Sequence, residues 1–533
     1  MLQIKQPRRA QRCLELAVRA QPDCTAGHLL LGRALLAGGP EGPIRGPTLD
    51  VVNGPQGDPA AALRPLRRAA DLAPDRDDTA AALAIAYQRA GDTSRALAAL
   101  DRCPSSVLTT RTRADVLDAV GRGRGAHLRV ESDEIVQLRS DALAERPDPT
   151  TRQRLVRHLV LQGDFDQAFC AADPEAMEGG RRRWDSVVDD SDFLSQVNDD
   201  WLYVAAAVAL DEGDCTQVHR IKRTIAARVI GRGLHAVAPA SAVTGLVRAV
   251  AYSSGERDAV DELDQRRSGF ATHSERLAYD KLDADLRVAL GDVERLVAVR
   301  ERLATVNPES EQRFRALIRD ARIAVIGPSD FGTFTPEELD TFDVIVSTKR
   351  PTDTLSGRPT ISYRSDTNVR FDLLPALGQG ADLATIEVLR PSMLVNGASV
   401  PGHHALRVMS AEDTNTFLGT HFGIQRILYD LVGRGAESIT LAGVDFFLSE
   451  TPYVKGYDDE MTRVYEPNQL QPARSRAAHD HGWDFRFTKL LAGHGLIQPH
   501  PDVQRLLDYT VDDYLVRLSE VARRRPRESQ LLR

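Results

Sequence analysis

Through the first 319 residues apolar positions recur at helical spacing, with polar residues filling the intervals. Alanine and leucine mark one helical face in Leu66-Arg-Arg-Ala-Ala-Asp-Leu-Ala-Pro74 and again from Ala80 to Ala90. Small residues at Ala82, Ala86 and Ala96 would let paired helices approach closely, and Pro74 closes the first of them. Gly91-Asp92 then breaks the pattern, Gly91 supplying a left-handed C-cap before Ala96-Leu-Ala-Ala-Leu100. The same pair returns at Gly163-Asp164, Gly213-Asp214 and Gly291-Asp292, at irregular spacing. Gln21-Pro-Asp23 echoes Ala73-Pro-Asp75 and marks another unit near the start, while glycine and proline from Gly38 to Pro59 predict a long loop.

The period changes at Arg322. Short β-branched runs (Arg322–Ile326, Asp343–Ser347, Ala384–Leu389, Leu406–Met409, Ser438–Leu441) now alternate with helical stretches, which predicts a mostly parallel sheet covered by helices. The boundary is expected near Arg319 to Ala321, dividing the chain into 1–319 and 320–533. The fold class expected is α + α/β. With Tyr87 as the large residue on its first helix and Gly-Asp at the turn, the helical part resembles tetratricopeptide repeats. That resemblance implies an irregular solenoid, a scaffold whose concave face binds a protein partner.

At 533 residues the chain exceeds what one hydrophobic core organises. It is 42% hydrophobic and 27% charged, the composition of a globular protein. A net charge of −8 predicts no coating of nucleic acid. No run approaches the roughly 20 apolar residues of a membrane span. Met1 to Arg9 lacks the apolar run of a signal peptide, so a cytoplasmic location is expected. Cys13, Cys24, Cys103, Cys170 and Cys215 are odd in number and scattered, and are expected as buried apolar filler without disulfide or zinc.

Candidate chemistry follows the strands. The first runs into Gly327-Pro-Ser-Asp-Phe-Gly332, where a glycine lets backbone approach a ligand and free amides with the Ser329 hydroxyl could hold a phosphate, beside Asp330. This is neither GxGxxG nor a P-loop, which argues against a P-loop kinase or ATPase. A second block, Gly419-Thr-His-Phe-Gly423, leads into a helix and then Ser438 to Phe447. Thr420 and Gly423 are expected at that helix N-terminus, where amides favour an anion. Gly443 and Asp445 are expected at the same sheet edge as Gly327. A third block is His479-Asp-His-Gly-Trp-Asp484. His479 can serve as a general base, with Asp484 fixing its tautomer if a helix starts between them, and His481 is the substitute base. A third metal ligand is not evident, so no metal is expected. Taken singly, turn glycines in a plain helix–strand unit and a solvated loop histidine are the alternatives.

Taken in order, these blocks resemble the sialyltransferases (glycosyltransferase family 29) and their bacterial relatives. Val325-Ile-Gly327-Pro-Ser329 with Phe342–Val346 is similar to the family's long motif. Thr420–Gly423 through Leu441–Phe446 is similar to the short motif, and His479 to Asp484 to the late His-x4-Glu motif. The resemblance implies a Rossmann-like domain and inverting transfer of a sialic acid-like or Kdo-like sugar from a CMP-activated donor to a glycan or glycoconjugate hydroxyl, with no cofactor. It makes His479 the general base with Asp484, and places the donor at Gly327, Ser329, Asp330, Thr420, Gly423, Gly443 and Asp445. The departures are Pro328 for the motif asparagine, Ser347-Thr-Lys349 for Arg-x-Asn, aspartate for glutamate at Asp484, and missing motif cysteines. Two alternatives stay open. One is a pterin pyrophosphokinase-like domain binding ATP with magnesium; the other is a non-catalytic repeat protein whose α/β domain lost its chemistry. Tyr453, Tyr457 and Asp458-Asp-Glu460 are read as an acceptor loop or a solvated surface loop.

Overall fold

The computed structural model describes residues 7–37, 59–90, 92–103, 106–123, 129–145, 149–162, 164–173, 197–233, 240–270, 273–302, 308–348, 358–363, 386–389, 405–409, 415–416, 419–420, 423–449 and 480–524. The expected loop at 453–460 lies outside them, as does the expected loop from Gly38 to Pro59 except for Pro59, which begins a helix.

Among the described residues from Pro7 to Arg302 helix follows helix, most packing chiefly on their sequence neighbours, whereas the helix Pro308–Ile318 packs on the strand Leu406–Val408. The Gly-Asp pairs explain the alternation. Asp92, Asp164 and Asp214 cap the helices that follow, accepting the amides of Arg95 (3.0 Å), Gln167 (3.1 Å) and Gln217 (3.0 Å). Asp292 accepts the amide of Glu294 at 3.0 Å. Each of these four aspartates also donates its own amide to a carbonyl five residues back (Tyr87, Leu159, Ala209, Arg287). That bond closes a helix through a left-handed residue, which is Gly213 (φ 76°) or Gly291 (φ 90°) in the two described turns. One dipeptide thus stops one helix and starts the next. Gly91 and Gly163 lie outside the described residues. Ala82, Ala86 and Ala96 are buried between helices.

Strands β1 (Arg322–Ile326), β2 (Val344–Thr348), β3 (Thr360–Tyr363), β4 (Ile386–Leu389) and β5 (Leu406–Val408) add one beside another. A separate antiparallel pair follows, β6 (Asn415–Thr416) with β7 (Gly419–Thr420). Strands β8 (Ser438–Ala442) and β9 (Gln498–Pro499) then extend the first sheet on the other side of β1. The result is a seven-stranded, wholly parallel sheet in the order β5-β4-β3-β2-β1-β8-β9. Five of its strands match the β-branched runs of the sequence. β3 and β9 do not, being short and carrying Thr360, Ser362, Gln498 and Pro499.

Apolar burial gathers in clusters within 29–116, 155–221 and 215–518. The last crosses the change of element type. Val247, Leu263, Leu286 and Phe314 from the helices share it with Val325, Val346, Ile361 and Leu441 from the strands. The element type changes at 319–321, but packing continues across that point. The last helix, Val511–Arg524, returns to the helical half, where Arg523 pairs with Asp214 at 2.8 Å and Ser519 Oγ accepts the Thr216 amide at 3.3 Å. The expectation of five buried cysteines is corrected: Cys215 is buried, Cys13 is exposed, and Cys24, Cys103 and Cys170 are partly covered. Cys13 belongs to the first described helix, which packs chiefly on the one after it.

A buried ion cluster fixes the helix Gly423–Leu431 to the sheet. Arg407 from β5 donates to both oxygens of Asp430 and, at 2.5 Å, to Glu311. Tyr363 from β3 donates to Asp430 at 2.6 Å, and Arg434 donates to Asp430 (2.8 Å) and Glu311 (2.5 Å). Burial opposes charge on both carboxyls, but Arg407 and Arg434 outweigh it and hold them below the ordinary range. Burial and the Asp430 charge push the Tyr363 hydroxyl well above its ordinary value.

Candidate functional site

At the carboxyl ends of β1 and β8 the two loops interlock. The amide of Gly327 donates to the Ala442 oxygen (2.8 Å), that of Ser329 to Gly443 (3.0 Å), and that of Gly443 to Gly332 (3.1 Å). A Cβ on Gly327 would overlap the Gly443 oxygen, and Gly443 itself has φ 68°. Ser329 is buried and its Oγ accepts the Phe331 amide at 3.1 Å. The amides expected to be free at Gly327 and Ser329 are therefore engaged: these glycines serve the approach of backbone to backbone. Asp330 is exposed.

Beyond Gly443 the carboxylate of Asp445 is buried and accepts the amides of Phe447 and Ser449, both at 3.0 Å. Phe446 (φ 51°) and Phe447 (φ 65°) are left-handed, a conformation that costs roughly 1–3 kcal/mol in a non-glycine residue. Contacts with the helices His481–Gly493 and Val511–Arg524 hold them there. Phe446 packs edge-on against Phe485 (5.2 Å between ring centres) and accepts the Tyr514 hydroxyl at 3.0 Å. Phe447 packs edge-on against His481 at 5.2 Å.

His479 lies outside the described residues. The helix His481–Gly493 does begin between it and Asp484, and Asp484 is buried in the first turn. Asp480 caps that helix, accepting the Trp483 amide at 3.0 Å, and receives Lys222 Nζ at 2.8 Å. Burial disfavours charge on Asp480, but Lys222 and the Trp483 amide outweigh it and hold the carboxyl down to about 2. Nearby, His219 Nδ1 lies 2.8 Å from the Tyr252 hydroxyl, and burial lowers its proton affinity despite Asp480.

The end of β2 differs from the closed β1–β8 edge. Thr420 was expected at the helix N-terminus; instead it pairs with Asn415 in the short hairpin, and the helix starts at Gly423. The register Ile326↔Ser347 sets Thr348 level with Gly327. A Cβ on Gly423 would lie 3.5 Å from Thr348 Cγ2 and 3.9 Å from Arg426 Nη2. The hydroxyls of Ser347 (0% exposed) and Thr348 (6%) have no hydrogen-bond partner among the described residues. Leaving a buried hydroxyl unsatisfied costs about 1–3 kcal/mol. The first-turn amides of that helix and the Thr348 side chain thus come together at the end of β2, and a helix N-terminus favours an anionic group. On the other sheet face, Ser347 stands level with Ser362 and Ser362 with Glu387, all buried. The helices Gly423–Leu431 and His481–Gly493 are tied by Gln425 Nε2 donating to Thr488 Oγ1 at 3.0 Å.

The sequence marks Ser347 as the end of a strand and Ser347-Thr348 as a departure from a motif, but not as site residues; their position at the end of a β-branched run was the available signal. His500 was missed as well. It caps the helix Pro501–Leu507 at the end of β9, 3.9 Å from Glu338, and Pro499-His-Pro501 was its sign. Nothing in the sequence pairs Lys222 with Asp480. Among the described residues no three His, Cys, Asp or Glu side chains gather as a metal site requires, and no helix is long and apolar enough to cross a membrane.

No protein-family model matches the chain, and no curated protein matches it. A solved structure of Naa15/Naa10 bound to HypK-THB is similar at 14% identity and a TM-score of 0.22 over 56% of this chain. The chain spans 47% of that one's length. A likeness at that score carries neither fold nor function across.

Proposed function

We propose that residues 320–533 form a Rossmann-like glycosyltransferase domain that takes a CMP-activated, sialic acid-like or Kdo-like sugar and passes it to an acceptor hydroxyl, with tetratricopeptide-like helices as a scaffold for a protein partner. The observation that carries this reading is the end of β2, where Thr348, its hydroxyl buried without a partner among the described residues, lies with its methyl group beside the helix terminus at Gly423. A donor phosphate is the anion such a place suits. The sheet order, which reverses at β1, supports the same reading, since open parallel sheets hold nucleotides at the carboxyl edge near such a reversal.

In this reading the leaving CMP phosphate is stabilised at Thr348 and Gly423. Gly327 and Gly443 shape the backbone beside it. His479 takes the acceptor proton as that oxygen attacks the anomeric carbon, the bond to phosphate breaks and CMP departs. Titration of the full chain with CMP, and separately with ATP and Mg²⁺, tests it. CMP should bind saturably, and His479→Ala should abolish transfer while leaving CMP binding intact. ATP binding in place of CMP would transfer support to the pterin pyrophosphokinase-like reading. The engaged amides at Gly327 and Ser329 favour a second reading, a non-catalytic repeat protein, which requires that no nucleotide binds.

A further inference from the structure

Two residues one turn apart on the helix Cys215–Arg232, His219 and Lys222, reach the start of the helix His481–Gly493. Lys222 Nζ donates to Asp480, and a Cβ on Gly482 would lie 3.4 Å from His219 Nδ1 and 3.6 Å from Asp480 Oδ1. The glycine thus leaves the imidazole room beside the carboxylate that caps the helix. Tyr252, from the helix Ala240–Ser253, joins them. Its hydroxyl lies 2.8 Å from His219 Nδ1 and hydrogen-bonds with Asp480. His219 is half-buried and lines a groove beside Leu515 and the exposed Val516, so protons reach it from solvent.

A hydroxyl carries one proton and gives it to one partner at a time. Beside a neutral imidazole, Tyr252 can turn that proton to His219 or to Asp480. An imidazolium has no acceptor: its Nδ1–H donates to the Tyr252 oxygen, and the Tyr252 proton is left for Asp480. Burial opposes the extra proton on His219 most strongly. Arg223 and Lys222 oppose it as well, while Asp480 and Asp512 favour it, and the balance sets its uptake below the ordinary histidine range.

We propose that His219 is a proton-operated switch on the helix His481–Gly493: once protonated, it turns the Tyr252 hydroxyl onto Asp480 and adds a donor to the carboxylate that caps that helix. One proton comes from solvent to His219; the Tyr252 proton only changes acceptor. The helical half thereby sets, according to pH, how firmly the start of that helix is held, whether or not the chain transfers sugar.

Side-chain NMR of the full chain, labelled with 15N-histidine and 13C-aspartate, tests this between about pH 4 and 8. Asp480, itself held at about 2, stays charged over that range, so any step in its carboxyl signal reports a neighbour. His219, assigned through His219→Gln, should titrate below the ordinary histidine range, with the Asp480 carboxyl shifting in step. His219→Gln should abolish that step. Tyr252→Phe, which removes the hydroxyl alone, should keep the His219 titration and lose most of the Asp480 step. The switch is overturned if His219 stays neutral down to about pH 4 or if Asp480 does not respond to it. An equal step in Tyr252→Phe overturns it too, because charge acting through space then explains the response. Should Tyr252→Phe fail to fold, His219→Gln still decides: a step that survives there does not come from His219.

Discussion

A methyl group on Gly327 would collide with the Gly443 oxygen, so Gly327→Ala should cost about 1–3 kcal/mol through overpacking, read as a lower urea midpoint. The strand-end glycine was legible in the sequence; its purpose was not, because Gly443 lies far along the chain. Asp430 makes the same point for charge. Nothing local in the sequence marks Arg407 or Arg434 for burial, yet both guanidinium groups are buried around that carboxylate. Asp430→Asn should cost about 3–5 kcal/mol in chemical denaturation, because it leaves buried cations under-compensated. The carboxyls of Asp430 and Glu311 titrate lower in the folded than in the unfolded chain. Their contribution is therefore complete above about pH 4–5 and lost as pH falls through the depressed folded values. Acid unfolding of Asp430→Asn should show a shallower loss over that window than the parent; equal slopes would contradict the assignment.

Helix starts were readable where the capping residue lies beside its helix, as with Asp92, Asp164 and Asp214. They were misread where a distant partner decides: Gly419-Thr-His-Phe-Gly423 looks like one helix start, but Thr420 is drawn into a hairpin by Asn415. β3 and β9 escaped notice because two to four residues with hydroxyl, amide or proline side chains carry no period. The helix His481–Gly493 depends on a cap that the other half of the chain completes. With its carboxyl held at about 2 against roughly 3.9 when unfolded, Asp480 contributes about 2–3 kcal/mol, present above about pH 4 and lost as pH falls toward 2. Lys222→Met should raise the Asp480 pKa, as read by side-chain NMR titration; an unchanged value would show that Lys222 does not hold it.

At the scale of the whole molecule, composition marks the change from helices to strands but not the unit that folds, since packing partners lie far apart in sequence. Helices before residue 319 share a core with the sheet, and the last helix docks back on Asp214. A fragment 320–533 should therefore lack a cooperative thermal transition, whereas 197–533, which keeps those partners, should melt cooperatively. Cooperative melting of the shorter piece would refute the shared core. The placement of a nucleotide phosphate at the end of β2 is tested by calorimetric titration of CMP into the parent chain and Thr348→Val. Removing an unsatisfied buried hydroxyl should leave thermal stability equal or higher, while CMP affinity falls by about tenfold. Undetectable CMP binding to the parent, or equal affinity in the variant, would contradict it.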